Sequence, residues 1–465
     1  MDAFAGADNS TTRNAGLAPT SGSAISYPTT MRPTRIVPVL IAFLAAGGLR
    51  AADAVTLSLE QVFASVEKVN LNVLISREAA TQAEEQARLA RANILPNITA
   101  SAQQRRTKSV PLTNTGATSA RPTNRFDALF NGSYSFVDLQ RWSATRSART
   151  GIEIARADYN AALQTALANV ADYYFTHQRN LRRLGVLDAN IARARTLLDL
   201  ARNQLNAGVA TQIDVTRAEA QLAQTEQARL QQQTVDLQSE MLLKRALDID
   251  PAQPLQLATF AVRRAEETRS ILADDKDAFA RRADYVRAQK AVEQAKIDVR
   301  TATFERLPSL SLGGTYGRGA ANYDDDLQPA WSANATLSLP IFDGLKAGAD
   351  RRIALSRQRT QEARLRNLQI QISSELRLAS QDANSRNAQI GMAEKNVQLA
   401  RDQLRLAQTR YREGAADNRE VVEAQTQLAV AEDNLVEAEF QYNLSRVELA
   451  RARGDVRTLL SEKVP

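Results

Sequence analysis

The 465-residue chain contains no cysteine and a single histidine, His177. The missing thiol excludes disulfide frameworks, thiolate zinc sites, cysteine nucleophiles and a lipidated N-terminal cysteine. One histidine excludes multi-histidine metal centres and cannot alone complete a Ser-His-Asp triad. Beside Tyr173-Tyr-Phe175, His177 reads as packed or solvated on a helix. Aromatic residues are scarce, at 5% of the chain, whereas a globular core of this size normally uses more large apolar side chains to offset chain entropy. Ala, Arg, Gln and Leu dominate instead, which is the composition of long helices. No long block of one charge exists: 59 basic and 52 acidic residues are interleaved for a net +7. Neither a basic stripe nor stacking aromatics stand out, so no nucleic-acid partner is expected. No nucleophile–base pair or metal cluster appears, so neither an enzyme nor a cofactor is expected.

Long hydrophobic runs are also missing. The strongest, Ile36 to Ala46, is too short for a membrane-spanning helix, which needs about 20 residues. It follows the basic stretch Met31-Arg-Pro-Thr-Arg35 and precedes Ala52-Asp-Ala54, the order of a secretory signal peptide and its cleavage site. Residues 1–54 are therefore expected to be an N-terminal extension and signal peptide, with translation starting at Met31 and the mature chain at Val55.

The mature chain repeats itself. Ala79-Ala-Thr-Gln82-Ala83 through Leu95-Pro96-Asn-Ile98 lines up with Ala291-Val-Glu-Gln294-Ala295 through Leu307-Pro308-Ser-Leu310. Phe136-Val-Asp138 echoes Ile341-Phe-Asp343, and Gly208 to Val215 echoes Gly414 to Val421. The expected organisation is a first repeat over 55–250, a linker over 251–274 marked by Pro251 and Pro254, a second repeat over 275–455, and a C-terminal tail over 456–465.

Within each repeat the pattern predicts a helix, two strands, a very long helix, a turn and a long helix. The first helix runs from about Leu59 to Asn93 and stops before Pro96, because the residue before proline resists the α conformation. The stretches Phe126 to Phe136 and Trp331 to Leu339 alternate large apolar and polar side chains, as membrane β-strands do. Tyr134, Tyr316 and Trp331 read either as an interfacial aromatic belt or as single surface aromatics. About 65 to 70 proline-free residues follow Asp138 and Gly344, long enough for helices of roughly 100 Å. On the last helix Val421, Ala424, Leu428, Ala431, Leu435, Ala438 and Tyr442 form a heptad seam, with Val422, Ala429 and Val436 in a second stripe. The fold class is thus mainly α with a small transmembrane β part. Four strands cannot close a barrel, and open strand edges in lipid are costly, so several copies must share one.

The paired Leu-Pro elements, Pro340-Ile-Phe-Asp-Gly344 and the two Gly-x5-Asp/Glu-Val turns resemble the TolC-like outer-membrane efflux protein family, in its unlipidated branch. The resemblance covers essentially residues 55–450. It implies a homotrimer with a twelve-stranded β-barrel in the outer membrane of a Gram-negative bacterium, in contact with outer-membrane lipid, continued by an α-helical barrel in the periplasm. It also implies an exit duct for a periplasmic adaptor and an inner-membrane pump, in tripartite efflux or type I secretion.

By position, Glu420 and Glu423 match the family's gate acids, and Asp214 and Tyr411 match the network that holds the gate shut. The turns at Gly208, Val209, Gly414 and Ala415 match the tips that adaptors contact. Ala416 stands where a family member has an arginine, which leaves Arg412, Arg419 or Arg217 as replacements. A plainer reading stays open for Asp214 and Glu420, since acids in a first helical turn favour the helix dipole regardless of any pore. Asp324-Asp-Asp326 reads as a solvated loop between strands. Two other classes remain, a periplasmic adaptor and a structural coiled-coil envelope protein.

Overall fold

The computed structural model describes residues 55–108, 122–258 and 275–461; the expected signal peptide lies outside them. The first half holds β1 (Val55–Leu57), α1 (Leu59–Val69), α2 (Leu71–Ala92), β2 (Asn97–Lys108), β3 (Pro122–Val137), α3 (Leu139–Asn206), α4 (Gln212–Ala246) and β4 (Leu255–Leu257). The second holds α5 (Asp275–Arg281), α6 (Ala283–Phe304), β5 (Ser309–Ala320), β6 (Gln328–Ser338), α7 (Lys346–Arg412), α8 (Asn418–Ala452) and α9 (Thr458–Ser461). The order helix pair, two strands, very long helix, long helix therefore occurs twice. Helices α3 and α7 have 68 and 67 residues, about 100 Å each at 1.5 Å per residue.

The single helix expected over 59–93 is two helices. Asn70 adopts an extended conformation between them; its side-chain oxygen accepts from the amides of Asn72 and Val73, and its amide donates 3.1 Å to the Ala246 carbonyl. This short polar side chain caps a new helix while tying it to α4, so the axis changes there. Arg282 makes the same extended break between α5 and α6 in the second repeat. The segment read as a C-terminal tail also differs: Val456 and Leu459 are buried in the core, and α9 packs against α8.

Four strands form one antiparallel sheet in the order β2-β3-β5-β6. Its two hairpins meet where β3 pairs with β5, so β2 and β6 each keep one open edge among the described residues. A separate parallel pair joins β1 to β4 and carries Leu57, Leu255 and Leu257 onto the first core. That core gathers the amphipathic face of α1 (Leu59, Val62, Phe63, Val66), the middle of α3 around Leu167 and Tyr174, and Phe440, Val447 and Val456. Burial pushes the Tyr174 phenol up to about 12, while its hydroxyl donates 2.6 Å to the Ala258 carbonyl.

The interleaved charges of the sequence become a ladder between the repeats. Arg183 forks onto Asp433 at 2.6 and 2.9 Å, Arg193 reaches Glu432, and Arg182 pairs with Glu439, all from α3 to α8. Arg179 lies 4.3 Å over the Phe440 ring, a cation–π contact. These pairs are partly buried and contribute about 1 kcal/mol each, but they fix the register of the two helices.

Arg282 is the most heavily engaged cation. Its guanidinium bonds Asp284 and Glu375 at 2.7 Å and donates 3.3 Å to the Ala452 carbonyl, tying the start of α6 to α7 and the end of α8. Burial alone would raise the Asp284 and Glu375 carboxyls, but the hydrogen bonds and the charge of Arg282 outweigh it, helped at Glu375 by a bond from Gln371, and hold both below the usual range. A depressed carboxylate stabilises the fold fully above its unfolded value and loses that contribution as pH falls through the folded one. Arg282→Met is expected to cost about 1–2 kcal/mol near neutral pH. The difference from the parent chain should shrink in acid, measured by thermal unfolding of both proteins across pH.

Candidate functional site

The α3–α4 and α7–α8 hairpins end in matching turns. Gly208 and Gly414 have φ of +74° and +70°, the left-handed region where glycine carries no Cβ penalty. Behind each, a backbone amide reaches back over the helix end: Val209 to the Gln204 carbonyl at 3.0 Å, and Ala415 to the Arg410 carbonyl at 2.8 Å. Nothing lies within 4 Å of where a Cβ would sit on either glycine, so backbone conformation, not space, selects the residue. Val209 is 75% exposed, and Gly208, Gly414 and Ala415 are exposed with it.

The second helix of each hairpin starts on a polar cap. The Asp214 carboxylate accepts from the Thr211 amide at 3.0 Å and from the Thr211 hydroxyl at 2.7 Å, with Arg217 at 3.6 Å. Asp417 caps α8 by accepting from the Glu420 amide. Glu420 in turn pairs with Arg410 at 2.8 Å across the turn. Glu423 is exposed and has no ion-pair partner among the described residues. Asp214 and Glu420 each stand in a first helical turn, and each holds a basic partner.

Below the turns the two hairpins are clamped together. Val215, Ala218, Val421, Ala424, Leu428 and Tyr411 pack with Leu197, Leu198, Ala201, Leu404 and Ala407 in one buried cluster drawn from all four helices. Of the heptad seam, Val421, Ala424, Leu428, Ala431 and Tyr442 are buried, and Leu435 is partly so. Tyr411 is 5% exposed with its hydroxyl unpartnered, and burial and then the Asp214 charge raise its phenol above the ordinary value. Asn418 is fully buried; its amide donates 2.7 Å to the Asp214 backbone carbonyl, and its side-chain oxygen has no partner. Asn418 therefore joins the second hairpin to the first at the first turn of α8.

Asp214, Tyr411, Glu420 and Arg217 lie at the matching ends of the two hairpins, together with Arg410 and Asn418, which the sequence did not single out. Of the three candidates to replace the family arginine at Ala416, Arg217 reaches Asp214, while Arg412 and Arg419 are exposed. The signal for Arg410 was its place one residue before Tyr411, where the turn folds it back towards Glu420. For Asn418 the signal was a short polar residue immediately after a cap.

At the other end, strand register sorts the sheet into two faces. Ile98, Ala100, Phe130, Tyr134, Leu312, Tyr316, Trp331 and Leu337 share one face. Ser101, Asn131, Ser133, Thr315, Ser332 and Asn334 share the other. Tyr316 and Trp331 are directly paired, and are 72% and 75% exposed. Tyr134, half-buried, lies nearer the helices and meets Phe136 edge-on at 6.1 Å. The sheet is thus apolar and aromatic on one side and hydroxyl- and amide-lined on the other, and no described residues cover either side.

Other candidates carry less. Asp324, Asp325 and Asp326 are exposed between β5 and β6, where Asp325 accepts from Asn322. His177 is buried between α3 and α4, its Nδ1 2.9 Å from Asp236 and 3.2 Å from the Ser239 hydroxyl. A groove of about 750 Å³ beside α3 is lined by charges, and four of them already pair, as Lys290–Glu153, Arg156–Glu84 and Arg457–Glu67. Among the described residues no helix is long and apolar enough to cross a membrane.

The sequence model of the family described as "Outer membrane efflux protein" matches residues 66–247 and 276–455, one stretch per repeat. The pyoverdine export outer membrane protein OpmQ of Pseudomonas putida is 25% identical over 345 residues, 73% of this chain and 72% of that protein. OpmQ of Pseudomonas aeruginosa is 28% identical over 386 residues, 80% of each. The Campylobacter jejuni CmeC outer membrane channel has the same fold, with a TM-score of 0.77 at 20% identity over 87% of this chain and 88% of that one. The family match decides against the adaptor and the structural coiled coil that the sequence left open. With both repeats matched over most of their length, the chain belongs to the outer membrane efflux protein family and is an outer-membrane efflux channel that extends into the periplasm.

Proposed function

We propose that three copies close one barrel of twelve strands and one tube of long helices, and that this homotrimer is the passive exit duct for a periplasmic adaptor and an inner-membrane pump. The observation that carries the reading is a bare amphipathic sheet with open edges at β2 and β6, joined directly to helices about 100 Å long. Unpaired backbone groups in lipid cost several kcal/mol each, so β2 of one copy pairs with β6 of the next. Exposed Ile341, Phe342 and Leu345 at the β6–α7 crossover supply apolar area for the same contact. The aromatic Tyr134 sits at the periplasmic side of the apolar band, and Tyr316 and Trp331 sit nearer its outer side.

The far ends of the hairpins form the gate. Three-fold symmetry gathers three copies each of Glu420 and Glu423 around the axis, where a ring of carboxylates favours cations. Arg410, Asp214, Tyr411 and Asn418 hold the hairpins in the closed arrangement. The exposed turns at Gly208–Val209 and Gly414–Ala415 meet the adaptor. Export of pyoverdine by the OpmQ relatives supports the direction of transport, outward from the periplasm.

Planar-bilayer recording of the purified trimer is expected to give discrete, cation-preferring steps. Glu420→Ala combined with Glu423→Ala should reduce that preference at unchanged trimer yield, and unaltered selectivity would reduce both acids to helix-start residues. Leu428→Ala, which empties part of the clamp, is expected to cost about 2–5 kcal/mol locally. Hydrogen exchange should accelerate at the tips of both hairpins in that variant and remain slow in the core around Leu167.

A further inference from the structure

The apolar face of the sheet does not stay apolar along its whole length. On β2 it runs Ile98, Ala100, Ala102, Gln104, Arg106, Lys108, and on β5 it runs Leu310, Leu312, Gly314, Tyr316, Arg318. Because side chains alternate, Arg106, Lys108 and Arg318 stand on the same side as Phe130, Tyr316 and Trp331, not on the polar side. All three are exposed, and none has a carboxylate partner among the described residues. On the polar face at this end Arg125 pairs with Asp127 at 2.9 Å, while Arg105 opposite it bonds the Gln103 side chain. The acidic run Asp324–Asp326 belongs to the loop beyond the end of β5 and pairs with none of the three cations.

Their height is set by the strands. Arg106 and Arg318 each lie eight residues past the first apolar residue of their strand, Ile98 and Leu310. At about 3.3 Å per residue and a tilt of about 40° this is roughly 20 Å above the helix-proximal end, close to the upper limit of a barrel's apolar band. The helices leave from the opposite ends of the strands, at Asn97 and Val137, so the cations are at the outer surface of the membrane. Unpaired cations outside the barrel wall, just above apolar and aromatic side chains, are placed for lipid headgroups and not for cargo in the pore.

We propose that Arg106, Lys108 and Arg318 form an outward-facing cationic collar that binds the phosphates of an anionic, phosphate-bearing lipid in the outer leaflet, three such sets surrounding each trimer. The proposal rests on the barrel reading above. Acyl chains of that lipid lie along Ala100, Phe130, Tyr316 and Trp331, while its phosphates reach the guanidinium and ammonium groups. A cation near an anionic surface gains roughly fivefold in affinity, so the three together supply about 100-fold.

The test uses the full-chain trimer reconstituted in phosphatidylethanolamine vesicles with or without bisphosphorylated lipid A, followed by detergent exchange and native mass spectrometry. The parent trimer should retain bisphosphorylated lipid A and discard its dephosphorylated form. Arg106→Gln/Lys108→Gln/Arg318→Gln should lose retention by about 100-fold, and the single variant Arg318→Gln by roughly fivefold. Arg105→Gln, on the polar face, should retain as much as the parent, and inorganic phosphate should not displace the lipid. Equal retention by the triple variant, or equal loss in Arg105→Gln, overturns the collar. Bilayer conductance of the same samples separates the two readings: a conducting triple variant that still holds lipid A defeats only the collar, whereas a parent chain that never inserts defeats the barrel and the collar together.

Discussion

Two rows of backbone N–H and C=O groups, on the free edges of β2 and β6, govern the architecture. In water such edges are a liability managed with charge, proline or a covering loop. In hydrocarbon no solvent can satisfy them, so they must pair with protein. The described residues of one chain give this sheet four strands, too few to close on themselves, and no layer over it. The long helices then inherit the geometry of the barrel, since each hairpin of strands is flanked by helices whose starting positions the strand ends fix.

Repetition solves the packing problem that follows. A helix of nearly seventy residues has no single partner along its length, and its apolar stripe drifts around the axis. The second repeat supplies a matching set of helices, and the contacts divide into zones. Near the chain termini, large apolar residues of α1, α3 and α8 build a core around Leu167 and Tyr174. Along the middle, the α3–α8 ladder of arginines and carboxylates fixes register without much apolar burial. Towards the tips, small alanines alternate with Val, Leu and Tyr411, giving close approach with few large side chains. This gradient explains how a chain poor in aromatics remains folded over such a distance.

The tips combine tight apolar packing with polar groups that packing leaves unsatisfied. Asn418 and Tyr411 are buried but each leaves a polar atom unpartnered, which costs stability that complete burial would otherwise supply. Around them the ion pairs are exposed and weak. Such a region opens at a smaller free-energy cost than the core around Leu167 and Tyr174.

Composition, the doubled motifs and the period of apolar residues determined by themselves that this chain is two copies of one helical and stranded unit, without a thiol or a second histidine, and needs a membrane for its strands. These are local or repetitive properties, and local rules of helix length, strand alternation and proline placement decide them. Tyr411 and Asp214 were legible as neighbours because the resemblance carried their positions. The breaks at Asn70 and Arg282, the burial of Val456, the Arg410–Glu420 pair and the reach of Asn418 to the Asp214 carbonyl were not. Each depends on which distant segment lies opposite, and sequence spacing holds no record of that. The same holds for Arg106, Lys108 and Arg318, whose shared face was fixed only by strand register, since a shift of one residue between two strands would have put them on opposite faces.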